Sequence, residues 1–327
     1  MNKHTRRTLW VVAAVLILLA VAIFLRSKAP PEAARLLPES DGILYFNFKP
    51  VRAFFHKDMK PPQRVPEYQQ FINAIGIDPE RDLDEAAIAL HRMQDPKGPN
   101  GPVAYSMVLV GKITGKQLNA WLGSHAASRE SYAGHTVYSI PSEGRTVRVV
   151  QIGYDMLAVS NFPTTEMIHS IIDRHRSAAL PFAGSTLLRR HYRDVPLLSQ
   201  AWGVGQIGLP FSESGAIKIL GLSLPLEDNS TIIASLGWTG SLRIEEIAPS
   251  EEVAIRQAAA LATMLTLARG FTVPLGDNAA NDGLKELLKT AAITQKRDRV
   301  VVTATVEHSL YGGSAVGGAA TPSGAAR

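Results

Sequence analysis

The sequence predicts an α+β protein with mainly antiparallel sheets and helices on one face, in two similar units, behind one N-terminal transmembrane helix. Three observations lead to this class. Short segments with period-two alternation follow one another in pairs, as antiparallel strands do. Segments with helical periodicity separate these pairs, rather than separating every strand from the next. A run of seventeen apolar residues stands alone near the N-terminus.

The apolar run extends from Leu9 to Leu25 and predicts a membrane anchor. As a helix it would be about 25 Å long, close to the thickness of the hydrocarbon core. Basic residues are slightly more frequent before the run than after it, which favours a cytoplasmic N-terminus. The competing interpretation is a cleaved signal peptide, because residues 20–22 read Ala-Val-Ala. The apolar run continues past that site, so an uncleaved anchor is favoured.

The rest of the chain divides at changes in composition. Two consecutive prolines mark a stiff spacer, residues 177–184 mark a boundary, and the Gly- and Ala-rich end cannot bury enough apolar surface to fold. The predicted parts are a cytoplasmic stub at 1–8, the transmembrane anchor at 9–25, a linker at 26–37, a first α+β unit at 38–180, a second α+β unit at 185–311 and a disordered tail at 312–327.

The first unit opens with a strand at 43–48. Ile43, Tyr45 and Asn47 alternate with Leu44, Phe46 and Phe48, and the second set forms the strongly apolar face. The further elements predicted for this unit are helices at 51–57, 67–75, 117–125 and 164–175, and strands at 86–92, 103–111, 136–140, 145–152 and 156–160.

The second unit repeats this order of strands and helices without visible residue identity between the halves. Its longest helix, at 251–269, begins after Ser250, a good N-cap residue. Arg256 and Gln257 interrupt its apolar surface, which indicates a core helix rather than a second membrane span. The other predicted elements are strands at 200–208, 231–238, 242–247, 291–294 and 299–307, and helices at 187–192 and 282–289.

Charge and cysteine content exclude some functions. The net charge of +5 comes from residues 1–28, which hold five Lys and Arg residues and no Asp or Glu. The remainder is neutral, so nothing indicates nucleic-acid binding, which needs a clustered basic excess. The chain has no cysteine. It therefore has no disulfide and no cysteine for lipid attachment.

Six segments resemble uncharacterised bacterial proteins with one N-terminal hydrophobic segment and an extracytoplasmic α+β body in tandem. In this sequence they read LLPESDGILYFNF, GIDPERDLDEAAIAL, VLVGKITGKQLNAWL, YAGHTVYSI with GYDMLAVSN, and GSLRIEEIAPSEEVAIRQAAALATML. The similarity extends over most of residues 37–307 and rests on core and turn positions. It implies a topology and a location outside the cytoplasm, and no activity.

One glycine motif matches the GxGxxG spacing of dinucleotide-binding proteins. Residues 203–208 read Gly-Val-Gly-Gln-Ile-Gly, but a dinucleotide site needs this motif on a turn between a strand and a helix. Here Pro210 follows and the segment itself has strand character. A glycine-rich strand packed closely against a helix is the favoured interpretation.

Three polar clusters have compositions that could indicate a metal-binding or ligand-binding site. Asp78, Glu80, Asp82 and Asp84 alternate as in a calcium loop, but Leu83 and Ala89 stand where an EF-hand needs Gly and Glu. A solvated acidic loop is favoured, with a different divalent-cation site as the alternative.

The other two clusters are a histidine-containing helix and a basic run. His169 and Asp173 share one helix face while His175 points elsewhere, so they form no ready metal triad. The basic run from Arg189 to Arg193 could touch anionic lipid or a carboxylate ligand. A solvated connector is favoured for it.

The sequence therefore predicts no catalytic, cofactor-binding or metal-binding residue. GxSxG, SxxK and HExxH are absent from it. The leading hypothesis is a non-enzymatic envelope protein on the periplasmic side of the inner membrane, anchored through Leu9–Leu25, that binds another envelope protein or a small ligand and no nucleic acid. The alternative is an envelope hydrolase whose site is assembled from residues distant in sequence.

Overall fold

The computed structural model describes residues 29–55, 64–113, 115–177, 184–206, 216–219, 222–225, 229–270 and 286–305, together with Val12 and Leu19. The predicted anchor at 9–25 lies outside this range apart from those two residues, as does the predicted tail at 312–327. No helix among the described residues is both long and apolar enough to cross a membrane.

The described elements follow one another in this order: α1 (Glu32–Leu36), β1 (Gly42–Asn47), α2 (Phe48–Phe55), α3 (Pro66–Ile75), α4 (Pro79–Asp82), β2 (Leu83–Arg92), β3 (Val103–Gly111), α5 (Lys116–His125), β4 (Ser128–Tyr132), β5 (His135–Ser142), β6 (Arg145–Gln151), β7 (Met156–Ser160), α6 (Glu166–Arg176), α7 (Thr186–His191), a 3₁₀ turn (Tyr192–Asp194), β8 (Ser199–Gln206), β9 (Ala216–Ile219), β10 (Leu222–Pro225), β11 (Thr231–Gly237), β12 (Ser241–Ile247), α8 (Glu251–Gly270), β13 (Ala292–Lys296) and β14 (Arg299–Thr305). Residues 286–290 are also helical.

Twelve strands form one antiparallel sheet, so the predicted α+β class with a large antiparallel sheet is confirmed. The strand order is β13-β14-β12-β11-β8-β1-β2-β3-β7-β6-β5-β4, and β9 pairs with β10 in a separate hairpin. At the centre β1 pairs with β8, with Ile43 opposite Val204 and Tyr45 opposite Trp202. Strands of both predicted units therefore belong to the same sheet.

The two arms of the sheet have the same order. Outward from β1 lie β2, β3, β7 and β6, and outward from β8 lie β11, β12, β14 and β13. In each arm a helix follows the second of these outer strands, α5 after β3 and α8 after β12. The division into units at 38–180 and 185–311 stays a prediction, and most of the predicted boundary, residues 178–183, lies outside the described part of the chain.

One face of the sheet carries the main hydrophobic core. Side chains from β1, β2, β7, β8 and β11 meet α1, α6 and α7 there, and Ile43, Ile168, Ile172 and Leu188 are fully buried. The periodicity of α6 predicts an inner face made of Met167, Ile168, Ile171 and Ile172. The three isoleucines are buried in this core, and Met167 is only partly buried. The alternation of β1 places Ile43 and Tyr45 in this core.

Helices also cover the opposite face, so the prediction of helices on one face is wrong. A second core joins Ile75 of α3, Leu118 and Leu122 of α5, and residues of β6 and β7. Strand β7 explains why both layers are needed. All five of its residues, Met156–Ser160, are buried, and a strand that is buried on both sides must lie between two layers.

The predicted linker at 26–37 is wrong in its second half. Residues Glu32–Leu36 form α1 directly after Pro31, and Ala33, Ala34, Leu36 and Leu37 are almost completely buried against the sheet. The prolines suggested a spacer, but the apolar residues after them have helical spacing. Alanine lets this short helix approach the strands closely, so it belongs to the core.

Helix α8 packs its inner side on the second arm. Ala254 and Leu261 meet Val300 and Val302 of β14 in a third core. The alternation of residues 299–307 predicts an apolar face made of Val300, Val302, Ala304 and Val306. Of these, Val300 and Val302 lie beneath the helix, and Val306 is outside the described range. Other side chains of α8, such as Ile255 and Leu267, are exposed. It is therefore a surface helix rather than the enclosed core helix that its composition suggested.

Candidate functional site

A cavity of about 270 Å³ opens at the end of the sheet where β1, β2 and β8 meet. We call it the sheet-end cavity. Its volume is close to the lower limit of small-molecule sites, which is about 300 Å³. Its lining residues come from both arms of the sheet and from the segment before α1: Ala29, Pro31, Tyr45, Asn47, Glu85, Tyr192, Val195, Pro196, Leu197, Leu198, Ser199 and Trp202.

The strand register places the residues of the cavity floor next to one another. Tyr45 lies directly opposite Trp202 on β8, and Asn47 lies directly opposite Glu85 on β2. Residues i and i+2 of a strand point to the same face, so Tyr45 and Asn47 share the core side. The sequence pattern predicted this shared face, and pairing with β2 and β8 adds the carboxylate and the indole.

Three aromatic rings form a cluster at the cavity. Tyr45 stacks on Trp202 with ring centroids 5.4 Å apart, and Tyr192 meets Trp202 at 62° with centroids 5.5 Å apart. Offset-stacked and edge-on pairs are favourable arrangements for aromatic quadrupoles. Trp202 is only 4 % exposed. The cluster therefore gives this end of the core a rigid aromatic wall.

Glu85 is the only charged residue among the described residues that line the cavity. The Tyr45 hydroxyl lies beside it, and burial together with the negative charge of this carboxylate raises the pKa of Tyr45 far above its usual range. Tyr45 is therefore a fixed donor. The nearest cation is Lys49, whose Nζ lies 3.8 Å from Oε1 of Glu85 on a largely exposed side chain. Such an ion pair neutralises the carboxylate only weakly.

A tight turn forms the outer wall of the cavity. The Ser199 amide donates to the carbonyl of Pro196 at 3.4 Å, and the Ser199 hydroxyl donates to the same carbonyl at 2.7 Å. Leu198 has φ of 66°, a left-handed conformation in which glycine or asparagine is usual. Leu197 and Leu198 are 62 % and 80 % exposed. Two apolar side chains thus project into solvent at the cavity mouth.

An ion-pair network holds this wall to the second arm. Arg299 Nη1 lies 3.2 Å from Asp194, next to the turn, and 2.5 Å from Glu245 on β12. Arg243 binds the other oxygen of Glu245 at 2.7 Å. The side chain of Glu245 is nearly buried, so both arginines are needed to compensate its charge. These contacts position the residues that follow Asp194.

The four acidic residues of the predicted calcium-loop pattern bind the protein's own arginines and backbone. Arg64 bonds Asp78 at 3.1 Å and Glu80 at 2.6 Å, and Arg52 bonds Asp84. Asp82 accepts from Arg81 at 2.9 Å, and this bond holds its pKa below the usual range. Within the described part of the chain, no group of three His, Cys, Asp or Glu residues could hold a metal ion.

The predicted histidine cluster is part of a contact between α6 and the edge strand β4. His169 stacks on Tyr132 with centroids 3.7 Å apart, and its Nε2 lies 3.1 Å from Glu130. Tyr132 donates to Asp173 at 2.8 Å. His169 and Asp173 thus share a face as their spacing predicts, and each is bound to β4.

The glycine motif and the basic run lie in ordinary structural elements. Gly203 lies on β8, where an added Cβ would come within 2.8 Å of Leu44 on β1. The close neighbour is thus a strand side chain and not a helix, while Ile207 and Gly208 lie outside the described range. The basic run belongs to α7 and the 3₁₀ turn, with Arg189 and Arg190 exposed.

A serine–histidine contact lies inside the sheet. His91 Nε2 is 2.9 Å from the Ser106 hydroxyl, which is 3.0 Å from the Ser160 hydroxyl. Ser106 is 0 % exposed. Burial lowers the pKa of His91 to about 4. A substrate cannot reach this serine without opening the sheet, so the contact is structural and not a catalytic pair.

The sequence patterns did not predict this cavity. Tyr45 and Asn47 belong to one predicted strand face, Tyr192 lies within the basic run at 189–193, and no pattern marked Glu85 or Trp202 as site residues. Tyr45 and Trp202 are 157 positions apart, and the pairing of β1 with both β8 and β2 brings the strand residues together. The signal available in the sequence was the presence of polar Asn47 on an otherwise apolar strand face.

Fold and cavity together define an α+β protein with a large antiparallel sheet and a small cavity at the end of its two central strands. No family model matches the chain, and no curated protein matches it. Its fold is similar to solved structures of the protein TP0453. Crystal form III has 11 % identity and a TM-score of 0.44, covering 86 % of this chain and 97 % of that chain. Form IV has 11 % identity and a TM-score of 0.43, covering 85 % and 95 %. Form I has 12 % identity and a TM-score of 0.42, covering 85 % and 93 %.

Proposed function

We propose that this protein is a membrane-anchored envelope protein without enzymatic activity, which binds a small ligand in the sheet-end cavity outside the cytoplasm. The observation that carries the proposal is the cavity itself: it is open, it combines an aromatic wall with a carboxylate and an amide, and its size suits a small molecule. The alternative, an envelope hydrolase, gains nothing from His91 and Ser106, because both are buried.

The location supports the same proposal. If residues 9–25 span the inner membrane, Ala29 follows the last of them by four residues, which is at most about 14 Å of extended chain. Ala29 and Pro31 line the cavity. The cavity mouth, with exposed Leu197 and Leu198 beside it, would then lie close to the lipid surface on the periplasmic side.

Orientation is tested with a reporter. A phosphatase that is active only outside the cytoplasm, fused to the C-terminus of the full chain in a bacterial host, is expected to be active, because the anchor leaves the body outside. A fusion of the same phosphatase to residue 4 serves as the control and should be inactive. An inactive C-terminal fusion with normal expression would contradict the proposed location.

Binding is tested by a thermal-shift screen of the full chain in phosphatidylglycerol nanodiscs, against metals, nucleotides, sugars, peptidoglycan fragments, lipids and amines. A ligand at 100 times its Kd should add about 2.7 kcal/mol to the free energy of unfolding. At roughly 2–4 °C per kcal/mol, Tm should rise by several degrees.

A variant with a larger side chain in the cavity tests whether the ligand that raises Tm binds there. Ala29→Phe places a ring at the cavity wall and should abolish the rise in Tm, whereas Ala259→Phe, on the exposed side of α8, should leave it unchanged. If no ligand class raises Tm, or if both variants respond like the parent protein, small-ligand binding in the cavity is wrong.

A further inference from the structure

We propose that the ligand of the sheet-end cavity is an organic ammonium ion. The inference rests on the proposed function and adds the chemical class of the ligand. Its first support is charge. Glu85 is the one charged group among the described lining residues, and Lys49 compensates it only across a long, exposed contact of 3.8 Å. An anionic ligand would meet this carboxylate without any lining cation to balance it.

The second support is the chemistry of the remaining lining. A bare metal cation needs about six oxygen ligands, but beyond Glu85 the lining side chains offer only the amide oxygen of Asn47 and the hydroxyls of Ser199, Tyr45 and Tyr192. The other lining side chains are apolar, apart from the indole of Trp202. An organic ammonium ion, whose nitrogen bears methyl or methylene groups, suits both the carboxylate and the rest of the lining. Its charge faces the carboxylate and its carbon atoms face the rings.

The third support is the rigid wall beside the carboxylate. The Tyr45 hydroxyl lies beside Glu85, and the Tyr45 ring is held against Trp202 by stacking at 5.4 Å. The carboxylate therefore lies next to side chains that are already ordered before a ligand arrives, which reduces the entropy lost on binding. The volume of about 270 Å³ suits a group of the size of choline rather than a drug-sized molecule.

The test compares choline with its neutral isostere 3,3-dimethylbutan-1-ol, using calorimetry on the full chain in phosphatidylglycerol nanodiscs, which contain no ammonium group. Because the two molecules have the same shape, any difference in affinity reports the charge. Choline is expected to bind at least 10-fold more tightly. Glu85→Gln, which keeps the size and an acceptor for Tyr45, should weaken choline binding at least 10-fold.

Asp84→Asn is the matched control. It removes the same charge one residue away, where the carboxylate binds Arg52 and Lys49 and does not line the cavity. Its choline affinity should stay within about threefold of the parent protein, because long-range effects on an exposed site are screened by salt. Equal losses in both variants would show a general effect of surface charge and overturn the proposal.

An ammonium group can come from a free molecule or from a lipid headgroup, and a second arm separates these sources. In phosphatidylcholine nanodiscs, a lipid headgroup in the cavity should raise Tm in the parent protein and not in Glu85→Gln, and should abolish binding of free choline. Unchanged Tm with choline still bound identifies a free ligand. Either result supports an ammonium ligand.

The proposal is overturned if the neutral isostere binds as tightly as choline, or if neither choline nor phosphatidylcholine binds. A further outcome would contradict the ligand class and leave the proposed function standing. If a sugar or a nucleotide raises Tm and Ala29→Phe abolishes the rise, the cavity is a binding site and only the ligand class is wrong.

Discussion

Replacement of Trp202 with alanine is expected to lower the free energy of unfolding by about 3–5 kcal/mol, which is typical of a large aromatic removed from a core. Trp202 is 4 % exposed, and it contacts both Tyr45 and Tyr192. Its loss leaves a void beside the pairing of β1 with β8, where the two arms join. Equilibrium denaturation of the full chain by urea measures the change.

Trp238 provides a matched control, since Trp238→Ala removes the same side chain from a position that is 53 % exposed. This change should cost less than about 1 kcal/mol, as surface substitutions usually do. Equal losses in the two variants would mean that Trp202 does not pack as described. A large loss confined to Trp202→Ala would establish the central aromatic cluster as a main source of stability.

The second large effect is a loss of stability in acid caused by His91. Burial lowers the pKa of this imidazole from 6.5 to about 4, and this outweighs the opposing attraction of Asp41. The unfolded chain therefore binds a proton at a higher pH than the folded chain does. The contribution of neutral His91 is complete above pH 6.5, decreases as the pH falls, and is lost by about pH 4. Its total is about 3 kcal/mol.

The measurement is the free energy of unfolding of the full chain between pH 4 and 7, compared with His91→Gln, which cannot titrate. Glutamine will change stability at neutral pH through altered packing, so the quantity compared is the slope with pH. As the pH falls from 7 to 4, the free energy of unfolding of the variant should decrease by about 3 kcal/mol less than that of the parent protein. Identical slopes would show that His91 does not titrate in this range, whatever the stability of the variant at pH 7.

The sequence predicted most strands and helices because their periodicity is local. Strand β1 shows that local periodicity does not predict which face of a strand is buried. Its alternation correctly separates Ile43, Tyr45 and Asn47 from Leu44 and Phe46, but the apolar content suggested that the second set would be the more buried. The structure buries Ile43 and Tyr45 more deeply, because α1 and α6 cover that side. Burial depends on the partner elements, which no strand pattern specifies.

The exposed edge strand shows a second limit. Residues Ser128–Tyr132 form β4 although their composition, Ser-Arg-Glu-Ser-Tyr, is polar throughout. Strand β5 is its only strand partner, α6 contacts it through Tyr132, and its charged residues are those expected at an open sheet edge. Likewise, the cavity was not predicted, because its carboxylate, rings and turn come from β1, β2, β8 and residues 192–199 before β8.

The central position of β1 and β8 has a consequence for how the chain is made. Until residues 199–206 have been synthesised, β1 has an unpaired edge beside an apolar face. Contacts so distant in sequence form slowly, and exposed edges promote aggregation during that delay. The sheet-end cavity needs both strands, so it is complete only after this late pairing.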